Sequence, residues 1–161
     1  MQRTVILILI VVGIFSCPLR AGANALTDIT QCFRNAGERF SVDWRLLKAI
    51  AEVESSLNPG AIGLNRKAGV VVSEDVGMMQ INSSWYPVLD KMGISRKELL
   101  NNPCQNIHVG AWILASNIMN NGVNWESVGA YNAGFKGANA PFRMRYAKKV
   151  YARYLVLIGS D

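Results

Sequence analysis

Residues 43–60 read DWRLLKAIAEVESSLNPG, a helix bounded at both ends with one carboxylate out of place. Asp43 is a plausible N-cap, and Asn58-Pro59-Gly60 ends the run. At 100° per residue, Glu54 falls about 80° from Leu46, between Ile50 and Leu47 on the apolar stripe. Arg45, Lys48 and Glu52 lie on the opposite side, where a solvated carboxylate such as Glu52 belongs. Burial disfavours the charged form of a carboxyl and raises its pKa. A proton held near neutrality suits Glu54 to protonating a departing oxygen, as glycosidic cleavage requires. The helix wheel alone leaves a second reading open, a buried acid paired with an Arg or Lys.

Upstream, a helical period runs from about Asp28 to Glu38. The first 23 residues have the order of an export signal. Arg3 is followed by 11 apolar residues from Val5 to Phe15 and then by small residues at Ala21-Gly22-Ala23. That apolar run is short of the roughly 20 residues a membrane-spanning helix needs. Cleavage near Ala23 or Ala25 leaves one ordinary domain, 26–158, in the periplasm. Cys17 would leave with the signal. The remaining cysteines, Cys32 and Cys104, are an even count in an oxidising compartment. They are either bridged or two unpaired buried thiols. One His (His108, read as structural or surface) and no Cys-x-x-Cys spacing give no credible metal site.

Downstream, Gly63, Gly69 and neighbouring turn residues punctuate a loop-rich middle. Val70-Val71-Val72 and Met78 to Ile81 suggest a small β-hairpin. Helices then return, one from Asn102-Pro103 to about Asn120, one from Asn124 through Ala133, and one over Arg143 to Leu157. The last places Tyr146, Val150, Tyr154 and Leu157 on one stripe, read as core. The fold class is mostly α (α+β), a helical domain with a small β-hairpin or loop insertion and a substrate cleft between lobes.

The formal charge is +6 from 17 basic and 11 acidic residues. Losing Arg3 and Arg20 leaves 15 and 11, or +4. The excess gathers at Lys136, Arg143, Arg145, Lys148, Lys149 and Arg153, read as a solvated helix face that could also attract an anionic polymer. With an export signal, that polymer is a wall or envelope polyanion rather than nucleic acid.

Two further segments narrow the reading, Gly77-Met78-Met79-Gln80-Ile81-Asn82 and Ala130-Tyr131-Asn132-Ala133-Gly134. Together with Glu54-Ser55, in this order and spacing, they resemble the signature motifs of the lytic transglycosylases, which have a goose-type lysozyme-like fold and cleave peptidoglycan glycan strands. Met78 departs mildly from the Leu usual in the second motif. The likeness covers essentially the whole domain. It extends through Pro59-Gly60-Ala61-Ile62-Gly63, Pro103-Cys104 and Arg145-Tyr146-Ala147-Lys148-Lys149, and looks most like the small branch serving type III secretion and conjugative pilus systems.

The resemblance implies that Glu54 is the sole catalytic acid and base, and that Ser55 supports it by a hydrogen bond. It implies that Met79 and Gln80 line the cleft, that Tyr131 stands near the acid and that Asn132 contacts the glycan. Met79 read on its own could equally be core, and Asn132 could bond its own helix backbone. Asp75 either reaches the cleft as a second carboxylate or, with Glu74, is an exposed loop charge. The implied reaction cuts the MurNAc–GlcNAc β-1,4 bond and closes a 1,6-anhydro ring on MurNAc. It needs no cofactor. The implied partners are glycan strands and a secretion or pilus apparatus, with the enzyme a monomer. A lysozyme-like hydrolase using Glu54 and Asp75, and a non-catalytic glycan-binding assembly component, are the rival readings.

Overall fold

The computed structural model describes residues 24–160. The proposed signal segment 1–23 and Cys17 lie outside them. The elements are α1 (Asn24–Phe40), α2 (Trp44–Ser55), β1 (Ile62–Lys67), β2 (Val70–Val76), β3 (Ile81–Asn82), α3 (Tyr86–Lys91), α4 (Arg96–Asn101), α5 (Pro103–Asn121), α6 (Trp125–Ala133) and α7 (Ala140–Ile158). A helical body carries a small, largely exposed antiparallel sheet of order β1-β2-β3, the lysozyme-like layout expected.

Side-chain caps define several helix starts. The Asp43 carboxylate accepts the Arg45 N–H of α2, Asn102 accepts the Gln105 N–H of α5, and Asn124 accepts the Ser127 N–H of α6. Each satisfies a donor that the first helical turn leaves without a partner. The six-residue helices α3 and α4 are absent from the sequence reading. Each is too short to show a period, and α4 is fixed by the Ser95 hydroxyl accepting the Glu98 N–H.

The hairpin is displaced from its expected position. Its strands are β1 and β2, joined at Ala68 and Gly69, both at positive φ (49° and 81°), which suits a two-residue hairpin turn. Residues 62–67 are mostly exposed, Ile62 and Leu64 included, and carry little strand signal of their own. Met78 to Gln80, expected in a strand, form a tight turn instead, and only Ile81–Asn82 pair with β2.

The core gathers Phe33 of α1, Leu47 and Ile50 of α2, Leu99 of α4, Ile107 and Leu114 of α5 and Val150 of α7, all essentially inaccessible. A disulfide joins Cys32 of α1 to Cys104 at the start of α5, with Cα atoms 5.2 Å apart. Half-buried His108 packs edge-on to Phe40.

Two expectations about charge are corrected. Glu52, read as solvated, is covered by α7, and its side chain is only 13% exposed because Arg153 clamps it with Nε and Nη2 at 2.8 and 2.6 Å. Arg143, read as part of a solvated face, is buried. It pairs with Glu126 and donates to the carbonyls of Gly134 and Lys136. A buried guanidinium needs such partners.

Candidate active site

Helix α2 ends in left-handed residues, Ser56 and Leu57 at φ 54° and 64°. Its last turn therefore stops at the edge of a cleft of about 980 Å³, into which Glu54 faces. Asp75, Asn65 and Ser73 of the hairpin line the same cleft, with Gln80, Asn82, Trp85, Tyr131 and Asn132. In the sheet register Gly63 pairs with Asp75 and Asn65 with Ser73. The two-residue period of a strand thus brings Asn65, Ser73 and Asp75 to one face.

Glu54 is half-buried, and burial is the main force pushing its pKa from the ordinary 4.5 up to about 7. The Tyr146 hydroxyl donates to Glu54 Oε1 at 2.6 Å and opposes the rise, because a donor favours the ionised form. The negative charge of Asp75 adds to the rise and the positive charge of Lys149 opposes it. Glu54 is thereby a carboxylic acid near neutral pH with its proton ready for transfer. Burial also holds the Tyr131 and Tyr146 phenols well above their usual range, so both remain neutral.

Asp75 reaches the cleft. Its Oδ1 accepts from the Asn82 amide at 2.8 Å and its Oδ2 from the Asn65 amide at 2.7 Å. Glu74, its neighbour in the chain, turns to the other face and is gripped by Arg96 and Tyr86.

Other motif residues organise the turn after β2 rather than pointing polar groups at the cleft. The Val76 carbonyl accepts from Asn106, that of Gly77 from the Gln80 amide, that of Met78 from Ser55 and that of Met79 from the Tyr131 hydroxyl. Asn106 also accepts the Met79 N–H at 2.8 Å. Gly77 is required twice over. Its φ is +75°, and a Cβ there would lie 2.2 Å from Asn106 Nδ2.

This arrangement changes several expected roles. Ser55 does not bond Glu54; its hydroxyl ties the end of α2 to the turn at 2.7 Å. Met79 does not line the cleft. Its side chain is fully buried against Gly110, the core alternative for that residue. Gln80 and Tyr131 line the cleft while their polar ends serve the backbone. Asn132 is exposed at the rim.

Sequence reasoning missed Tyr146 and Asn106. Tyr146 was read as core from its place in an apolar stripe, and it is indeed buried, but its hydroxyl holds the acid. Asn106 is a fully buried amide in an apolar helix. It carries the same signal that singled out Glu54. Lys136 and Asn139 also line the cleft from the loop that Arg143 anchors. Among the described residues, no group of His, Cys, Asp and Glu is placed to hold a metal ion.

Comparison with known proteins adds to this geometry. Residues 31–153 match the family described as the Transglycosylase SLT domain. The chain is 47% identical over 135 residues to invasion protein IagB of Salmonella typhimurium, a match covering 84% of this chain and 82% of that protein. It is 42% identical over 130 residues to protein IpgF of Shigella flexneri, covering 81% and 83%. A peptidoglycan-binding-like protein of Escherichia coli is 46% identical over 133 residues, covering 81% and 80%.

Proposed function

The chain belongs to the SLT transglycosylase family and is a peptidoglycan lytic transglycosylase, and from that premise we propose that Glu54 is its single acid and base, working in the periplasm to open the wall locally for a secretion or conjugation apparatus. The observation that carries the chemistry is a half-buried Glu54 holding its proton to about pH 7 at the edge of a long polar cleft.

Glu54 gives its proton to the glycosidic oxygen as the bond from C1 of MurNAc to that oxygen breaks, and GlcNAc leaves as the alcohol. The substrate's own N-acetyl oxygen shares the positive charge at C1. The C6 hydroxyl then attacks C1 and returns its proton to the Glu54 carboxylate. The product is a 1,6-anhydro ring, and no water is consumed. Tyr146 keeps the carboxylate oriented through both transfers.

The cellular role draws support from the relatives' names, one an invasion protein and another peptidoglycan-binding-like, and from the export pattern of residues 1–23. A trans-wall assembly is wider than the mesh of an intact wall. In cell fractionation, the protein is expected in the periplasm without residues 1–23; recovery with that segment intact overturns the localisation.

A second reading is favoured by Asp75, whose charge is felt at Glu54 across the cleft. A carboxylate there could position water and make the enzyme a hydrolase. Mass analysis of fragments from digested peptidoglycan separates the two. Anhydro ends support transglycosylation, reducing ends support hydrolysis through Asp75, and no release by the folded protein overturns both. Glu54→Gln is expected to abolish release in either case.

A further inference from the structure

Glu54 lies between two depressions of different character. The large cleft contains the carboxylate of Asp75, several amides and Lys136. A smaller depression of about 250 Å³ shares Glu54 and Asn132 with it and is otherwise bounded by Val53, Phe142, Arg145, Tyr146 and Lys149. Arg145 and Lys149 stand four residues apart on α7, so they project from one face of the helix. The Arg145 guanidinium lies 5.5 Å from the centre of the Phe142 ring, and the Lys149 charge reaches Glu54.

These two cations differ from their neighbours on the same helix. Arg143 is paired with Glu126 and Arg153 with Glu52. Among the described residues, no carboxylate pairs with Arg145 or Lys149. Two unpaired cations beside an aromatic ring, next to the reacting acid, fit an anionic group on a ligand that already lies along the cleft.

A glycan bound with its scissile bond at Glu54 has sugar units on both sides of the acid. MurNAc differs from GlcNAc by a lactyl ether, which ends either in a free carboxylate or in a stem peptide that itself bears carboxylates. We propose that Arg145 and Lys149, with Phe142, form a subsite for the carboxylates carried on the muramyl side chain, so that the enzyme reads which sugar lies on the α7 side of Glu54. The inference rests on peptidoglycan being the substrate. It gives the α7 basic residues a ligand of their own.

Binding to a protein that does not cleave tests the subsite separately from turnover. Glu54→Gln and the triple variant Glu54→Gln/Arg145→Gln/Lys149→Gln are titrated with three oligosaccharides of equal length. These are a peptide-bearing glycan, the same glycan stripped to its lactyl carboxylates by an amidase, and a chito-oligosaccharide with no carboxylate. Both cations are exposed, and unchanged circular dichroism confirms folding. The triple variant is expected to bind the peptide-bearing glycan about tenfold more weakly, in a salt-sensitive manner, and the chito-oligosaccharide equally well. Loss on the stripped glycan as well shows that the subsite takes the free lactyl carboxylate in addition to those of the stem peptide; loss on the peptide-bearing glycan alone assigns the stem peptide. Equal weakening on all three, or none, overturns the subsite. Digestion of peptidoglycan by the native protein, measured in parallel, tests the catalytic reading independently.

Discussion

Glu54 acts as an acid because its surroundings oppose its ionisation, and that opposition has a cost in stability. Below pH 4.5 the carboxyl is protonated in both folded and unfolded chains, and nothing is lost. Between 4.5 and about 7 the unfolded chain releases the proton while the folded one keeps it, so stability falls as pH rises through this window. Above 7 the loss is complete, at about 3 kcal/mol. Glu54→Gln is therefore expected to be inactive yet more stable than the native protein above pH 7, by up to about 3 kcal/mol, with no gain below pH 4.5. Denaturant unfolding at pH 4 and pH 8 measures it. The two neighbours of opposite effect give a paired prediction. Asp75→Asn removes a charge that raises the Glu54 pKa, so the alkaline limb of the activity profile moves to lower pH. Tyr146→Phe removes a donor that lowers it, so that limb moves to higher pH, with activity down about tenfold from lost positioning. Profiles that move together, or not at all, contradict the assignment. Glu54 was legible in the sequence because a carboxylate in an apolar stripe is conspicuous and the two downstream motifs decide between the readings that the helix wheel leaves open. Tyr146 was not, because a tyrosine in such a stripe looks like core, and only the fold brings α7 against α2.

At the scale of elements, the turn after β2 is the piece on which the cleft is built. Its carbonyls from Val76 to Met79 are each held by a side chain, that of Gly77 by Gln80 within the turn and the others by Asn106, Ser55 and Tyr131 from helices, which leaves it little freedom to move. Gly77→Ala forces a Cβ against Asn106 at positive φ and is expected to cost about 3 kcal/mol or more, as loss of the buried Asn106 contacts adds to backbone strain. A shift in the denaturation midpoint reads this, and a shift of less than 1 kcal/mol would show that the turn yields easily. Helices α2, α5 and α6 were readable because Asp43, Asn102 and Asn124 mark their starts, and α1 and α7 because apolar periods fill them. The hairpin was misplaced because residues 62–67 are mostly exposed and only Ile62 and Leu64 among them are apolar side chains. Their strand state comes from pairing with β2 across the Ala68-Gly69 turn, a tertiary effect that local propensity does not carry.

For the whole molecule, two long-range ties join helices distant in sequence, α1 with α5 and α2 with α7. The Cys32–Cys104 bridge closes a loop with a sequence separation of 72, for which chain-entropy models give about 4 kcal/mol. The double variant Cys32→Ser/Cys104→Ser is expected to lose roughly that much stability while cleaving peptidoglycan at near-native rate when folded, since neither sulfur lines the cleft. A fall in rate without a fall in stability contradicts this. The even cysteine count allowed the bridge, and the packing of α1 on α5 brings its ends together. The second tie is α7 against α2, where Tyr154 donates to Asp43, Arg153 to Glu52 and Tyr146 to Glu54.

That second tie bears on when the protein becomes active during its synthesis. Glu54 leaves the ribosome 92 residues ahead of the tyrosine that orients it. A nascent or truncated chain can thus contain the acid, the hairpin and the turn and still lack the phenol that holds the carboxylate. Full activity therefore arrives late, with the last described helix, because a chain stopped before α7 lacks both the phenol and the helix that packs on α2.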